Sequence, residues 1–363
     1  MRETLGFFKW SFLATLVALV VAFLYAGLTG VVIAGILILL EASISFDNAT
    51  VNATVLRNMG DRWQKIFLTV GILIAVFGMR VAFPILIVAF AVGQGIGEVV
   101  SQALYAQDQY AHNVEAAIPI IASFGGMFLV LVFLEYFLDP ERETLWIKPF
   151  ERFFRWAGHL PAAPVTFALV ALLIASQLVA PQLTQVVLLS GLLGVVTHLI
   201  VSGLTGLLAR VTGSGSGPRT GIAGFASFLY LETLDASFSF DGVIGAFAIT
   251  KDIVIIALGL GVGALYIRSL TVFLVRRGSL LRYDYLAAGA HWAIGVLAVV
   301  LLVETQLHVP EWLTAVLGVG FIGAAFAASV VKNRRQERAE GEGTEEASEG
   351  AAEGKGSSNG DRS

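Results

Sequence analysis

Residues 43–47 read Ser-Ile-Ser-Phe-Asp and residues 237–241 read Ser-Phe-Ser-Phe-Asp, so four of the five positions are identical. Each copy has a further acid upstream, because Glu41 and Asp235 occupy the same position when the copies are aligned. We call residues 41–48 the first acidic motif and residues 232–242, which begin with Glu232, the second. Both lie in long apolar stretches, where a carboxylate at the centre of a membrane helix costs about 2.5 to 3.5 kcal/mol. The duplication of so costly a feature indicates that these acids have a function.

The composition is that of a membrane protein. Hydrophobic residues make up 56% of the 363 residues, the mean hydropathy is +0.80 and only 14% are charged, whereas a soluble domain carries about a quarter charged residues. Several apolar runs reach the roughly 20 residues that a helix needs to cross the hydrocarbon core. We therefore predict an all-α fold, a polytopic transmembrane helical bundle. The absence of cysteine excludes disulfides, thiol catalysis and thiolate metal sites.

Apolar runs separated by polar breaks predict about ten membrane spans. The first run is longer than the apolar core of a signal peptide and lacks a clear cleavage site, so we predict that it is a retained span. The ten spans lie near residues 11–27, 30–56, 66–92, 117–138, 163–180, 184–208, 221–249, 253–275, 285–303 and 311–331.

The basic residues predict the orientation, because loops rich in Lys and Arg stay in the cytoplasm. They occupy every second loop, whereas residues 93–116 contain three acids and no Lys or Arg. Both termini of this multi-pass protein are therefore predicted on the cytoplasmic side of the cell membrane. The basic residues that decide this are Arg2, Lys9, Arg57, Arg62, Lys65, Arg142, Lys148, Arg152, Arg155, Arg210, Arg219, Arg276, Arg277, Arg282, Lys332, Arg334 and Arg335.

The two acidic motifs run in opposite directions in this topology, because the first lies on span two and the second on span seven. A second match supports an inverted repeat: Gly71 and Arg80 on span three are nine residues apart, as are Gly259 and Arg268 on span eight. Inverted-topology repeats that meet near the membrane midplane are the architecture of many secondary transporters. The alternative is a duplication that built only a stable bundle.

The sequence divides into one membrane domain and a tail. Residues 1–331 form the predicted transporter-like transmembrane domain, with inverted repeats centred on 30–138 and 221–303. Residues 332–363 are rich in Glu, Gly, Ala and Ser and have little apolar surface to bury, which predicts a disordered cytoplasmic tail. The Gly- and Ser-rich segment 212–217 is a predicted flexible linker, either a hinge or a passive spacer.

Five acids and two arginines lie centrally within the predicted spans. If all are ionised their net charge is −3, so some acids must be protonated, hydrated or neutralised by a bound cation. Each of these states suits a cation pathway. Carboxylate, amide and hydroxyl oxygens are the ligands that Mg²⁺, Ca²⁺ and Mn²⁺ prefer, and the motifs also contain Asn48 and the serines Ser43, Ser45, Ser237 and Ser239. The charged residues are Glu41, Asp47, Glu232, Asp235, Asp241, Arg80 and Arg268.

Helical geometry separates the two acids of the first motif. Glu41, Ser45, Asn48 and Asn52 share one face of a regular helix, since they are spaced i, i+4, i+7 and i+11. Asp47 lies six residues after Glu41, about 120° away around the helix axis. Either the helix is distorted within the motif, or the two acids have different roles, one binding an ion and one pairing with Arg.

Arg80 and Arg268 are predicted to pair with these acids, and Glu232 is assigned to the same charge pairing or gating. Two interpretations stay open. Each pair either releases its acid when a cation arrives, or is a permanent ion pair that allows both charges to enter the membrane.

Three further residues are weaker candidates. His198 on span six is either a ligand or proton relay, or a hydrogen-bonded structural residue, as a lone His on an apolar face more often is. Glu135 and His291 lie near the predicted cytoplasmic ends of their spans and are candidates for the ion entrance.

The residues around both motifs resemble the TerC-like integral membrane family, including its branch of uncharacterised function. That family is named for tellurium resistance and is placed with the LysE-type exporters. The resemblance covers roughly residues 30–305 and is most specific in the second motif. It is carried by the stretches Glu41–Asn48, Tyr230–Gly245, Arg268–Thr271 and Gly289–His291.

This resemblance implies a membrane transporter, since some relatives are linked to the efflux of manganese or other divalent cations through acids in such duplicated helices. The second motif departs from the first at Gly242, which stands where the first has Asn48, so one amide ligand is missing. Transferred residue by residue, the resemblance implies metal binding by Glu41, Asp47, Asn48, Asp235 and Asp241.

We therefore expect a secondary transporter that exports a divalent cation, Mn²⁺ or a related ion, in exchange for protons. The alternatives are an exporter of a small organic solute and a non-transporting membrane scaffold or assembly protein. No ATP-binding motif and no nucleophile-and-base spacing occur in the sequence, so we expect neither an enzyme nor a cofactor. The expected partners are the transported cation and the lipid bilayer, with no nucleic acid.

Overall fold

The computed structural model describes the backbone of residues 2–211, 218–277, 283–307 and 309–356. Within these ranges the chain is helical and holds no strand beyond one isolated bridge between Met59 and Arg219. The all-α class is thus confirmed. The predicted linker lies outside the described residues.

The helices follow one another with short connections. A π-helical segment, Ile74–Ala82, joins α3 to α4. In chain order the helices are α1 (Arg2–Ile44), α2 (Phe46–Leu56), α3 (Asp61–Leu73), α4 (Phe83–Val92), α5 (Ile96–Tyr105), α6 (Gln107–Phe137), α7 (Lys148–Ala157), α8 (Ala163–Leu178), α9 (Pro181–Val211), α10 (Gly221–Ile249), α11 (Ile253–Arg277), α12 (Leu286–Glu304) and α13 (Glu311–Gly356).

The long helix α1 is broken at the boundary between the first two predicted spans. Gly27 has φ 65° and ψ −153°, a left-handed φ that L-residues with a side chain rarely adopt. The segments on either side fold back on each other, because a Cβ at Gly30 would lie 2.7 Å from the carbonyl oxygen of Ala22. Ala22 also shares a core cluster with Ala34. Residues before and after Gly27 therefore form an antiparallel pair of helical segments.

Seven helical stretches of described residues are long and apolar enough to cross a membrane. They support a multi-pass membrane protein. Each predicted span falls largely in helical residues, but the first two share the stretch Phe7–Ala42, and span 30–56 is divided between α1 and α2. Helix α8 is shorter than the seven stretches, and α10, which carries the second acidic motif, is not among them. Ten crossings therefore stay a prediction. The seven stretches are Phe7–Ala42, Asp61–Val92, Gln107–Phe137, Pro181–Leu204, Ile253–Arg276, Leu286–Glu304 and Val316–Gln336.

Helix α6 lies at the centre of the bundle and packs against α4, α8, α9, α10 and α12. Helix α11 packs along α1 and also contacts α2 and the π-helical segment, which in turn contacts α10. Large apolar side chains of α1, α8 and α9 point away from the protein, as expected of surfaces in contact with lipid. This packing brings α1, α2, α10, α11 and the π-helical segment together around the acidic motifs.

Helix α13 extends to Gly356, past residue 332, where the sequence predicts the start of a disordered tail. No side chain beyond Gln336 is described. The predicted disorder of the last residues stays a prediction.

Candidate functional site: the buried carboxylate and arginine cluster

Five charged side chains from four different helical elements meet inside the bundle. Glu41 comes from the end of α1, Arg80 from the π-helical segment, Glu232 and Asp235 from α10, and Arg268 from α11. All are buried, with no more than 5% of any residue exposed. We call these five residues the charge cluster. The sequence predicted each of them as a site residue, and the fold brings them together although they are up to 227 positions apart (268 − 41).

Arg80 binds the first acidic motif. Its Nη2 donates to Glu41 Oε1 at 2.5 Å, and its Nη1 donates to the carbonyl of Ala75 at 3.0 Å. Nη1 also lies 3.6 Å from Asp235 Oδ2 of the second motif. Charge-assisted hydrogen bonds of this kind are roughly twice as strong as neutral ones. One guanidinium thus contacts carboxylates of both motifs.

Arg268 binds the second motif from the other side. Its Nη2 lies 3.3 Å from Glu232 Oε1, and it donates to the backbone carbonyls of Phe67 and Gly71 on α3, each at 2.9 Å. Its guanidinium also lies 3.7 Å from the ring centroid of Phe67, a favourable cation–π distance. Gly71 is needed for this approach, because a Cβ there would lie 2.8 Å from Arg268 Nη1.

Asp235 is shared between the two arginines. Its Oδ2 lies 3.6 Å from Arg80 and 3.7 Å from Arg268 without a hydrogen bond to either, and its Oδ1 accepts a 3.1 Å hydrogen bond from the Asn48 amide. The cluster holds three carboxylates and two guanidinium groups, so one negative charge is left if all are ionised. A proton or a cation would neutralise that charge.

The helix is distorted within the first acidic motif, which is one of the two alternatives that the spacing of Glu41 and Asp47 left open. Ser45, between α1 and α2, has φ −86° and ψ 21°. The predicted polar stripe is buried all along its length, since Glu41, Ser45, Asn48 and Asn52 are each at most 6% exposed. Both polar side-chain atoms of Asn52 are without a hydrogen-bond partner among the described residues.

The side chains of Asp47 and Asp241 lie outside the described part of the structure, as does that of Ser43. Their predicted role as metal ligands is therefore neither supported nor contradicted by geometry. Ser237 donates to the carbonyl of Thr233 at 3.1 Å, as many helical serines do. Among the side chains that are described, no three acidic or histidine residues are arranged to hold a metal ion.

His198 and Glu135 form a separate pair between α9 and α6. His198 is fully buried, and its Nε2 lies 3.1 Å from Glu135 Oε2, which also accepts a long hydrogen bond from Ser202. This contact does not by itself distinguish a proton relay from a structural histidine, so both interpretations stay open.

A cavity of about 470 Å³ opens near the predicted cytoplasmic side. His291, one of the two candidates for the ion entrance, lines it and stacks on Tyr136 with ring centroids 3.7 Å apart. Arg57 and Arg219 also line it. The other candidate, Glu135, is linked to this cavity through Ser202, which lines it too.

Sequence reasoning missed two buried acids, Glu151 of α7 and Glu304 at the end of α12, and the π-helical segment that holds Arg80. Glu151 is fully buried and accepts hydrogen bonds from Arg142 and from the indole of Trp292. Glu151 lies in a short polar stretch among aromatic and basic residues, and the sequence of that stretch is typical of a loop. The π-helical segment has no composition that distinguishes it from a regular apolar helix, although π-helical turns are frequent at functional sites.

Residues 46–336 match one protein family profile, described as "Protein of unknown function (DUF475)". The match covers the greater part of the chain. It begins at Phe46, inside the first acidic motif, and contains the whole of the second. No curated protein and no solved structure matches the chain.

Proposed function

Because this chain belongs to the DUF475 family, whose function is unknown, we propose that it is a secondary transporter that moves a divalent metal cation across the membrane in exchange for protons. Mn²⁺ or a related ion is the proposed substrate, export is the proposed direction, and the cell membrane is the proposed location. The two acidic motifs would form one cation pathway. A gradient of protons would drive the transport.

The observation that carries this proposal is the position of Asp235. Its carboxylate lies between Arg80 and Arg268, one from each proposed repeat, and its second oxygen is bonded to Asn48 of the first motif. A change in the charge of Asp235 therefore acts on both arginines at once. A structural ion pair needs only one partner of each sign, whereas a shared carboxylate couples two groups of helices.

The chemistry follows from charge balance. In the resting arrangement two guanidinium groups neutralise the carboxylates, and a remaining negative charge is available to a proton. A divalent cation that reaches these oxygens would displace the guanidinium groups and release two protons, one from this cluster and one from Asp47 or Asp241, because the low-dielectric interior does not tolerate an excess of like charge. Ion entry and proton release would then be linked. Asp47 and Asp241 are the proposed additional ligands.

The proposal includes ten crossings in an inverted repeat, with both termini in the cytoplasm. The break at Gly27 supports two crossings in α1. The contacts between the two proposed repeats also correspond. In the first repeat, α2 carries part of the first motif and contacts α11 and α12 of the second. In the second repeat, α10 carries the second motif and contacts the π-helical segment and α6 of the first. Rocking of one repeat against the other is the usual mode of alternating access. Kinship to TerC-like proteins is part of the same proposal.

Ion flux into proteoliposomes tests this function. The wild-type protein and the Asp235→Asn, Asp47→Asn and Asp241→Asn variants would be compared for Mn²⁺, Ca²⁺ and Mg²⁺ uptake while internal pH is recorded. We expect saturable flux with opposing proton movement in wild type and its loss in all three variants. Glu98→Gln, at an exposed acid far from the cluster in sequence, is the matched control and should transport normally.

Two results would contradict the proposal. Absence of flux for every ion, with no change in thermal stability on addition of metal, would favour a scaffold whose charge cluster is structural. Metal flux without proton movement would retain the cation substrate but exclude the exchange.

One observation favours export of an organic solute as a second candidate. The cavity of about 470 Å³ is lined by Arg57 and Arg219, which attract a carboxylate or phosphate rather than a free cation. Uptake of labelled amino acids into the same proteoliposomes, together with an Arg219→Gln variant, would identify such a substrate.

A further inference from the structure

Helix α7 has three faces of different chemistry, and the residues of each face recur at the same helical spacing. Residues spaced i, i+4, i+7 and i+11 lie along one side of a helix. The residues at this spacing from residue 147 form one stripe along the helix and its C-terminal end, which we call the inner stripe. Those at the same spacing from residue 148 form a basic stripe, and those from residue 149 form an apolar stripe. The stripes are Ile147, Glu151, Phe154 and Gly158; Lys148, Arg152, Arg155 and His159; and Pro149, Phe153, Trp156 and Leu160.

The inner stripe fastens α7 to the bundle. The Glu151 carboxylate accepts four hydrogen bonds: from Arg142 at 2.6 Å, from Trp292 Nε1 at 3.1 Å, and from the backbone N–H groups of Trp146 and Ile147 at 3.0 and 3.1 Å. These bonds satisfy a fully buried charge, which would otherwise be very costly.

Phe154 and Gly158 complete this attachment. The Phe154 ring packs edge-on against Phe133 at a centroid distance of 5.6 Å. Gly158 lies so close to the carbonyl of Leu138 that a Cβ would overlap it. The orientation of α7 on the bundle is therefore fixed, and with it the direction of its two other stripes.

The apolar stripe is uncovered in the structure. Phe153 is 54% exposed, Trp156 68% and Leu160 54%, and Phe150 beside them is 61% exposed. The basic stripe next to it is also uncovered, with Lys148 and Arg152 exposed and Arg155 half-buried. A large apolar surface of this kind indicates a binding surface.

We propose that α7 lies in the membrane–water interface, with its apolar stripe in the acyl-chain boundary and its basic stripe on the headgroups of anionic lipids. The helix has 10 residues and is about 15 Å long, too short to cross the membrane. It connects α6 with α8, two apolar helices of the bundle, which places it at a membrane boundary.

The chemistry favours lipid over a protein partner. Phe, Trp and Leu on one side and Lys and Arg on the other are the composition of helices that lie in the interface plane, and Trp is enriched at this depth. The basic stripe would gain from the negative surface potential of the cytoplasmic leaflet, the side on which basic residues place this loop. A lipid surface thus satisfies both stripes at once.

Depth measurements test the placement, and the chain is suited to them because it has no cysteine. Single-cysteine variants Phe153→Cys, Trp156→Cys and Glu143→Cys would carry a fluorescent label in proteoliposomes that contain lipids brominated on their acyl chains. We expect strong quenching at positions 153 and 156 and little at the exposed loop position 143. Equal quenching at all three positions would overturn the placement.

Charge removal tests the headgroup site. A Lys148→Gln/Arg152→Gln/Arg155→Gln variant would be compared with Arg57→Gln/Arg62→Gln/Lys65→Gln, which removes three exposed charges from another loop of the same predicted side. Attraction to an anionic surface changes roughly fivefold per charge, so phosphatidylglycerol bound per protein in mixed micelles should fall much more in the first variant. An equal fall in both variants would overturn a specific site on α7.

The same labels distinguish a second copy of the chain. Shielding of positions 153 and 156 that increases with the protein-to-lipid ratio and does not respond to brominated lipid would show that another molecule covers this face. That result would also overturn the proposal. Neither measurement requires transport activity, so the interfacial placement of α7 can be tested independently of the proposed function.

Discussion

The Cα of Gly242 faces the carboxylate of Glu41 so closely that a Cβ at position 242 would overlap Glu41 Oε2. Gly242 is the residue that stands in the second motif where the first has Asn48, a departure that puts a symmetric site in doubt. The structure gives this difference a physical reason. Asn48 provides an amide donor to Asp235, whereas Gly242 provides space for Glu41, so the two motifs complement each other instead of repeating one arrangement.

Gly242→Ala is expected to destabilise the protein by about 1 to 3 kcal/mol, because overpacking of a close contact forces neighbouring groups to shift, and Gly242→Asn should do so more strongly. Thermal unfolding in detergent measures the effect. Gly35→Ala is the matched control, since a Cβ at Gly35 meets no atom within 4 Å. If Gly242→Ala is as stable as Gly35→Ala, Glu41 does not occupy this space.

The Glu41 and Arg80 pair should show strong coupling in a double-mutant cycle. Either Glu41→Gln or Arg80→Gln alone leaves a buried charge without its partner and is expected to cost about 3 to 5 kcal/mol of stability. The double variant should recover a large part of that loss. Asp108→Asn with Lys251→Gln, an exposed pair at 2.7 Å, is the control cycle and should show almost no coupling.

The hydrogen bond from Asn48 to Asp235 can be tested by removing its donor. Asn48→Ala removes a buried donor to a carboxylate, and such bonds contribute about 1.5 to 3 kcal/mol. Asn58→Ala removes an exposed amide that donates to the carbonyl of Thr54 and should change stability by less than about 0.5 kcal/mol. Unfolding of the two variants in the same detergent compares them directly, and similar losses would show that the buried bond is not formed.

The attachment of α7 can be tested at the acceptor Glu151 and at its donor Trp292. Trp292→Phe keeps an aromatic ring but removes one hydrogen bond to Glu151, and is expected to lower stability by about 1 to 3 kcal/mol. Glu151→Gln should cost more, because Arg142 would lose its partner. Amide hydrogen exchange should show faster exchange in α7 than in α6 for both variants, and unchanged exchange in α7 would exclude this mode of attachment.

The sequence predicted the membrane helices and the membership of the charge cluster because both depend on strong local signals. A run of apolar residues predicts a helix whatever its neighbours, and a charge inside such a run requires a partner. Glu41, Asp235, Arg80 and Arg268 were therefore identified as site residues before any contact was known.

The pairing within the cluster could not be predicted in the same way, because it depends on which helices are adjacent. Arg80 reaches Glu41 and Asp235 on two different helices, and no spacing along the chain encodes that contact. Glu151 was missed for a related reason: its partners Arg142 and Trp292 are a loop residue and a residue of a distant helix. Tertiary packing decides both cases.

The π-helical segment at Ile74–Ala82 has a mechanical consequence. Each π turn accommodates one more residue than an α turn, since its hydrogen bonds reach five residues along the chain instead of four. The backbone beyond the segment is therefore out of phase with the helix that starts at Asp61, and Arg80, near the end of the segment, meets its two carboxylates in this altered phase. For each surplus residue lost on return to α-helical hydrogen bonding, the downstream half of the helix would rotate by about 100° and shift by about 1.5 Å along its axis. A change between π-helical and α-helical hydrogen bonding in this segment would therefore move the Arg80 guanidinium relative to Glu41 and Asp235.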